Sequence, residues 1–516
     1  MNGSFAYESG HARAQYAAGP NRRSGEINSP LQKLGILNAR RAVYESCLQS
    51  SMTNNLADGV SRIASRIEWL PLGSFHRRFI ALVSLGGWFD FYDIYMMAYI
   101  GATLQHSGFL SLQQFSNVIA AGFLGMFTGT IVFGMGSDRM GRRSAFVAML
   151  LIYSAFTLAG AFAPSAGWLI VLRFFAGIGI GAELVVIDTY VSEMVPSGAR
   201  GRYVAITQMT GFTAVPIVAI LVRVLAPTHF LIDGWRWVMV LGSMGAVLAW
   251  YFRRRLPESP RWLESRGQHD EAEKIVAALE AESLSGVSRE KTVPRRSEVT
   301  AAQAEETGST GSAERGSFLE LWRPPYRRRT IMLVIFHALQ TIGYYGFANW
   351  APTFLLRRGV SLVHSLNYTL LIALVSPLGP ALAVLTSDRV ERKWAIVSMA
   401  LLIAALGLGF AFWSEPVLIV ASGALVTLCS NWFSALLHAY QSELFPTRLR
   451  ATGVGFTYSW SRLSAVFSSL LIGAVLVRGG VGAVFTLLAA AMCGVALVIG
   501  IFGPRTNRIA LEQLAR

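Results

Sequence analysis

Four ionisable residues stand inside stretches of chain that are otherwise apolar. Asp90 and Asp93 lie in Phe89-Asp90-Phe91-Tyr92-Asp93, and Arg173 and Glu183 in Arg173-x-x-x-Gly177-x-Gly179-x-Gly181-Ala182-Glu183. Carboxylates three residues apart share one face of a helix. Such a group can take up and release a proton, and a guanidinium beside it makes its charge state matter. Ionised side chains in hydrocarbon are costly and need a partner. At 1.5 Å of rise per residue, Asp93 lies about 9 Å from the far end of its stretch. Arg173, entering from that same side, lies roughly 8 Å deep. The matching depths predict an Asp93–Arg173 pair, serving either proton coupling or a static tie between two helices. Glu183, about 23 Å in from the same side, is a candidate second proton site or a contact to the basic loop that follows it.

Arg462 lies roughly 16 Å from the nearer boundary of another apolar stretch, close to its middle. It can be satisfied by a buried carboxylate, by backbone carbonyls or by an anionic ligand. The second half of the chain has no acidic residue inside its apolar stretches, which favours the ligand. A guanidinium grips a carboxylate through two parallel hydrogen bonds. Around it the sequence offers ring faces in Trp88, Tyr92, Tyr344, Tyr345, Trp350 and Trp432, and amides in Gln340, Asn349 and Asn431. These are the candidate substrate-binding residues. The chain has no Walker phosphate loop and no paired Cys or His metal spacing. No catalytic residue, cofactor or metal is expected, and the chain does not read as an enzyme.

The elements that must position these groups are long apolar helices. Hydrophobic residues make up 53% of the 516 and charged residues 15%, well below the quarter or so typical of soluble domains. Windows long enough to cross a bilayer fall near 79–104, 115–136, 144–163, 168–190, 203–226 and 235–252, then 330–355, 366–386, 394–413, 416–440, 451–476 and 481–503. These are spans 1 to 12 of an all-α polytopic membrane protein.

A net charge of +15 would suit a nucleic-acid binder, but its distribution argues otherwise. Arg139, Arg142 and Arg143 follow span 2, Arg253 to Arg255 follow span 6, and Arg389, Arg392 and Lys393 follow span 8. The loops at 105–114, 163–167, 227–234 and 414–415 hold no Lys or Arg. That alternation is the positive-inside pattern. It predicts both termini in the cytoplasm of a cell whose inner membrane holds the protein, with no nucleic-acid partner. No charged–apolar–cleavage pattern opens the chain, so span 1 should serve as the insertion signal.

The chain is also written twice, 250 residues apart. Ser137-Asp138-Arg139-x-x-Arg142-Arg143 returns as Ser387-Asp388-Arg389-x-x-Arg392-Lys393, and Ser192-Glu193-x-x-Pro196 returns as Ser442-Glu443-x-x-Pro446. Two six-helix halves are therefore expected at 63–255 and 330–503. A flexible cytoplasmic arm (1–62), a cytoplasmic central loop (256–329) and a tail (504–516) complete the division. The loop should hold a helix over Asp270–Glu282 and then a disordered stretch. Residues Ile63–Phe79, with Trp69, Arg77 and Arg78, suit a segment at the headgroup level. Parallel duplication is a build plan of secondary transporters, whose sites lie where the halves meet.

Gly134-x-x-x-Asp138-Arg139-x-Gly141-Arg142-Arg143 resembles the signature loop of the major facilitator superfamily. There, this loop latches the cytoplasmic side in one transport state. The resemblance assigns that gate role here to Gly134, Asp138, Arg139, Gly141, Arg142 and Arg143, with Asp388, Arg389, Glu193 and Glu443 completing it. Span 4 and Pro257-Glu258-Ser259-Pro260-Arg261-Trp262-Leu263 are similar to the sugar porters. In those proteins the aspartate at the place of Asp93 works with this arginine in proton coupling. The sugar porters' glutamine pair is Leu339-Gln340 here, which weakens a hexose reading. Glu443-Leu444-Phe445-Pro446-Thr447-Arg448 and Tyr344–Leu355 look most like the metabolite–proton symporters, which include nicotinate permeases and synaptic-vesicle-type relatives.

The resemblance implies alternating-access symport of protons with a small organic acid, aromatic or heteroaromatic, by a monomer in the bilayer. Proton coupling is assigned to Asp90, Asp93, Arg173 and Glu183. The alternatives are sugar or polyol symport, proton-driven efflux, and a transporter-like sensor that binds without moving solute.

Overall fold

The computed structural model describes residues 62–505, apart from 182, 286–317, 325, 387–389 and 446. The expected arm before Arg62, most of the expected disordered stretch, the tail from residue 506, and Asp388 and Arg389 lie outside the described residues.

The chain crosses the bundle twelve times. Nine helices among the described residues are long and apolar enough to span a membrane. One of them, Thr447–Phe502, is two spans merged across Gly480, whose φ of 67° turns the chain. Span 1 (Ser74–His106) is made less apolar by Arg77, Arg78, Asp90 and Asp93, and span 6 is two short helices, Gly234–Gly242 and Gly245–Arg255. Counting the merged run twice and adding spans 1 and 6 gives twelve. Large apolar side chains such as Val247, Phe467 and Leu497 point outward, each more than 60% exposed, as a lipid-facing surface requires. Among the described residues one departure from helix stands out. His229–Phe230 and Ile232–Asp233 form a two-residue antiparallel ribbon between spans 5 and 6.

Prolines break the spans where the interior needs backbone groups. A proline lacks the N–H that would bond the carbonyl four residues back. In span 7 the helix Tyr326–Ala348 stops and resumes at Ala351–Arg357, with Pro352 at the restart. In span 8 the helix Leu362–Ala373 gives way to Leu378–Thr386 around Pro377 and Pro380. Pro380 leaves the Ser376 carbonyl free, and Asn431 Nδ2 of span 10 donates to it at 3.1 Å.

Span 4 (Ala166–Gly181 and Glu183–Met194) is locked by glycines. A Cβ on Gly177 would stand 2.3 Å from the Gly122 carbonyl oxygen of span 2, and one on Gly181 2.1 Å from that of Met126. Small residues let helix backbones touch where no hydrophobic drive exists between helices. Gly179 does the same against Met149 and Tyr153 of span 3. Arg173 is thus fixed on a helix pressed against spans 2 and 3.

Beyond span 6, helices Pro260–Ser265 and His269–Ser285 pack against Arg62–Trp69 around Ile63, Ile67, Leu263, Ala272 and Val276. Arg66 donates to both oxygens of Glu280, at 2.8 and 2.7 Å, and also bonds Glu273. The segment before span 1 packs its apolar face on these loop helices.

Candidate transport site

Asp93 and Arg173 meet as a two-pronged pair. Arg173 Nη1 donates to Asp93 Oδ1 at 2.9 Å and Nη2 to Oδ2 at 2.8 Å, while Thr157 Oγ1 of span 3 adds a bond of 3.0 Å to Oδ1. Both residues are buried. Asp90 does not join them. Its carboxyl turns to Glu183 of span 4, and the two lie within hydrogen-bonding contact.

Arg173 also borders a small cavity between the two sets of six spans, with Asn349 on the opposite wall and Ile94, Met97, Phe123 and Met126 around it. Asn349 sits in the break that Pro352 makes, and its side-chain oxygen is buried with no donor among the described residues. A second small cavity is lined by Tyr95 and Tyr99 of span 1, Tyr344 of span 7, Thr369 of span 8, and Ser430 and Asn431 of span 10. Hydroxyls cross it in a chain. The Tyr95 and Tyr344 hydroxyls are 3.2 Å apart, and Tyr344 donates to Asn431 Oδ1 at 3.0 Å. Among the described residues no charged side chain lines it.

Between the halves stands Arg462, only 4% exposed. Its Nη1 donates to the Tyr345 hydroxyl at 2.9 Å and touches the Met126 sulfur at 3.9 Å, and the guanidinium lies 5.6 Å from the Tyr458 ring centre. It pairs with no carboxylate among the described residues.

The other sequence candidates lie elsewhere. Tyr92 donates to the Val238 carbonyl at 2.9 Å and Trp88 to Thr213 Oγ1 at 3.1 Å, both tying span 1 to its neighbours. Trp350 is fully buried between Phe115 and Phe354. Trp432 donates to Thr386 at 3.0 Å, and Gln340 reaches Thr341 at 3.3 Å. None of these five lines either cavity. Tyr95 and Tyr99, which do, share the face of span 1 roughly opposite Asp90 and Asp93, and their spacing of four residues inside an apolar span is the signal that the sequence carries for them.

At the basic end the repeated motifs meet each other. Arg142 bonds Glu193 at 3.1 Å, and Arg392 bonds Glu443 at 2.7 Å, the same contact 250 residues on. In the first copy Gly141 has a φ of 93°, and a Cβ there would stand 2.4 Å from a Glu258 oxygen. Glu258 thereby accepts from the backbone N–H of Arg142 and Arg143 at 2.8 and 3.1 Å. Arg139 is exposed. Contacts bridging the halves gather toward the opposite end: Gln105 donates to Thr353 at 3.0 Å, Ser116 to the Ser469 carbonyl at 2.8 Å, and Arg223 to Asn367.

Twelve crossings, a repeated ion pair and a polar seam between the halves define a secondary transporter of the major facilitator type. The sequence matches the family model described as "Sugar (and other) transporter" over residues 79–516, and the chain belongs to that family. It is 33% identical over 448 residues to the putative metabolite transport protein YyaJ of Bacillus subtilis (strain 168), covering 87% of this chain and 96% of that one. It is 30% identical over 457 residues to the niacin transporter NiaP of Acinetobacter baylyi, covering 88% and 99%. The fold is similar to that of the xylose transporter XylE from E. coli in a partially occluded inward-open conformation. That match has a TM-score of 0.66 and 20% identity over 84% of this chain and 99% of the other. The protein is a transporter and not an enzyme.

Proposed function

We propose that the protein carries a small aromatic or heteroaromatic carboxylate into the cell together with protons, by alternating access between its two halves. Arg462 carries this reading: it is a buried cation at the seam that pairs with no carboxylate among the described residues. A substrate carboxylate supplies the missing charge through paired hydrogen bonds. Tyr345 presents its hydroxyl to that guanidinium, and Tyr344 stacks edge-on to it with ring centres 5.0 Å apart, so ring faces stand beside the anion site. The niacin transporter among the relatives handles a substrate of this class. Proton coupling rests on the buried carboxylates of spans 1 and 4. The basic end faces the cytoplasm with both termini, in the inner membrane, and the chain works as a monomer.

A second reading, symport of a sugar or polyol, draws on the cavity lined by hydroxyls, with no charged side chain among its described lining residues. A thermal-shift screen of benzoate, nicotinate, xylose and sorbitol on purified protein, repeated with Arg462→Gln, separates the two. Stabilisation by the acids that disappears in Arg462→Gln supports the organic-acid reading. Stabilisation by the sugars alone, or acid binding unchanged in the variant, overturns it.

A further inference from the structure

Asp90 and Glu183 are the strangest pair in the interior. Asp90 is 1% and Glu183 0% exposed. None of their four carboxyl oxygens meets a donor from another residue among those described. Each has the other carboxyl as its hydrogen-bonding neighbour. Carboxylate oxygens only accept, so the contact becomes a hydrogen bond only when one carboxyl keeps its proton and donates it. Two bare carboxylates side by side in such a place repel each other and lack solvation.

The surroundings hold this contact in place. Gly86 lies one turn before Asp90 on span 1, and a Cβ there would stand 2.3 Å from the Phe146 ring and 3.3 Å from Glu183 Oε1. The missing side chain is what lets Glu183 reach span 1. The charged and titratable groups around the pair are Asp93 on the same helix, Arg462 of span 11 and Tyr153 of span 3. Asp93 is committed to Arg173 and Thr157, and Tyr153 donates to the Gly242 carbonyl at 2.6 Å. Among the described residues, Arg462 is therefore the cation in reach whose charge is not already answered by a carboxylate.

We infer that Asp90 and Glu183 hold one proton between them, and that this shared proton, not one on Asp93, is the proton the protein carries. The inference rests on the proposed proton coupling and sharpens it. In the loaded state one carboxyl donates its O–H to an oxygen of the other, and the pair bears a single negative charge. Release of the proton to water leaves two negative charges, which the narrow site tolerates only if the helices part or a cation approaches. Arg462 is that cation when no substrate anion occupies it, so substrate on Arg462 favours the protonated pair and loss of substrate favours release. Substrate and proton then bind together, as symport requires.

The test is infrared spectroscopy of the full-length protein in lipid at neutral pH, following the C=O stretch of a protonated carboxyl and its shift in heavy water. The wild type should show a band that disappears in both Asp90→Asn and Glu183→Gln, since in each variant the remaining acid is ionised and accepts from an amide. The band should survive in Asp93→Asn and in the control Asp188→Asn. A band that persists in both Asp90→Asn and Glu183→Gln, or is lost in Asp93→Asn, overturns the assignment. In proteoliposomes, Asp90→Asn and Glu183→Gln should each abolish nicotinate-driven proton entry while keeping nicotinate exchange. Proton entry at the wild-type rate in either variant also overturns it. A wild type that shows the band and exchanges nicotinate but moves no protons refutes the proposed coupling instead.

Discussion

The two sets of six spans share one frame and differ in what they bury. At the basic end the copies repeat each other: Arg142 with Glu193 and Arg392 with Glu443. Tyr190 bonds the Pro257 carbonyl and Tyr440 that of Pro504. Gly129 lets span 2 touch Ile178 of span 4, and Gly379, 250 residues later, lets span 8 touch Asn431 of span 10. Inside, the correspondence fails. Positions 90, 93, 173 and 183 are Asp, Asp, Arg and Glu, whereas 340, 343, 423 and 433 are Gln, Gly, Gly and Phe. Conversely Arg462 stands where the first copy has Phe212. The duplicated parts are contacts that hold each set of six spans together. The unduplicated ones divide the chemistry, with buried carboxylates in the first six spans and, in the last six, Arg462, which pairs with no carboxylate among the described residues.

Breaking the first half's charge pair should have the largest effect. Asp93→Asn leaves Arg173 buried without its counter-charge, and removing one partner of a buried pair costs about 3–5 kcal/mol. Accumulation of nicotinate against a gradient should be lost in vesicles, and Asp93→Asn/Arg173→Gln should recover stability relative to the single variant. A fully accumulating Asp93→Asn would remove the pair from the coupling account.

Arg462→Gln comes next. Hydrogen bonds to charged groups contribute about 1.5–3 kcal/mol, so nicotinate affinity by calorimetry should fall by roughly 10- to 150-fold. Equal affinity in the variant would move the anion site elsewhere.

The frame should respond more mildly. Gly181→Ala pushes a methyl group into the Met126 carbonyl, and overpacking of this kind costs about 1–3 kcal/mol, read as a lower melting temperature. Gly201, with open space where its Cβ would be, should accept Ala without loss. Equal melting temperatures for the two variants would show that the span 2–span 4 contact yields freely.

The latches should matter least to stability. Their side chains are 11–22% exposed, and ion pairs near a surface contribute about 0–1 kcal/mol. Arg142→Gln should nevertheless shift cysteine accessibility at the basic end more than Arg392→Gln. Only the first copy has a described third member, Glu258, on the adjoining backbone. Equal shifts would make the two latches equivalent.

How far the sequence went follows from what depth along a helix can encode. Asp93 and Arg173 were legible as partners because rise per residue fixes depth, and two helices entering from opposite sides either match or do not. The Asp90–Glu183 contact was not, because depth says nothing of which helix faces meet; that was decided by Gly86 and Phe146. Trp88, Tyr92 and Trp350 read as ligand contacts by type, yet a large ring inside a bundle most often fills space, and theirs do. The cavity-lining Asn349 and Asn431 are explained by prolines 352 and 380, whose broken helices expose backbone and amide groups that no hydrophobic count registers.

The account's central claim is that a cation in the last six spans and carboxylates in the first six are worked by one transport cycle. The most direct measurement is nicotinate and proton flux in proteoliposomes containing only this protein, with an imposed inward proton gradient. The account predicts nicotinate accumulation accompanied by proton entry, with both lost in Arg462→Gln. Nicotinate binding without flux, or flux that ignores the proton gradient and survives Arg462→Gln, would contradict it.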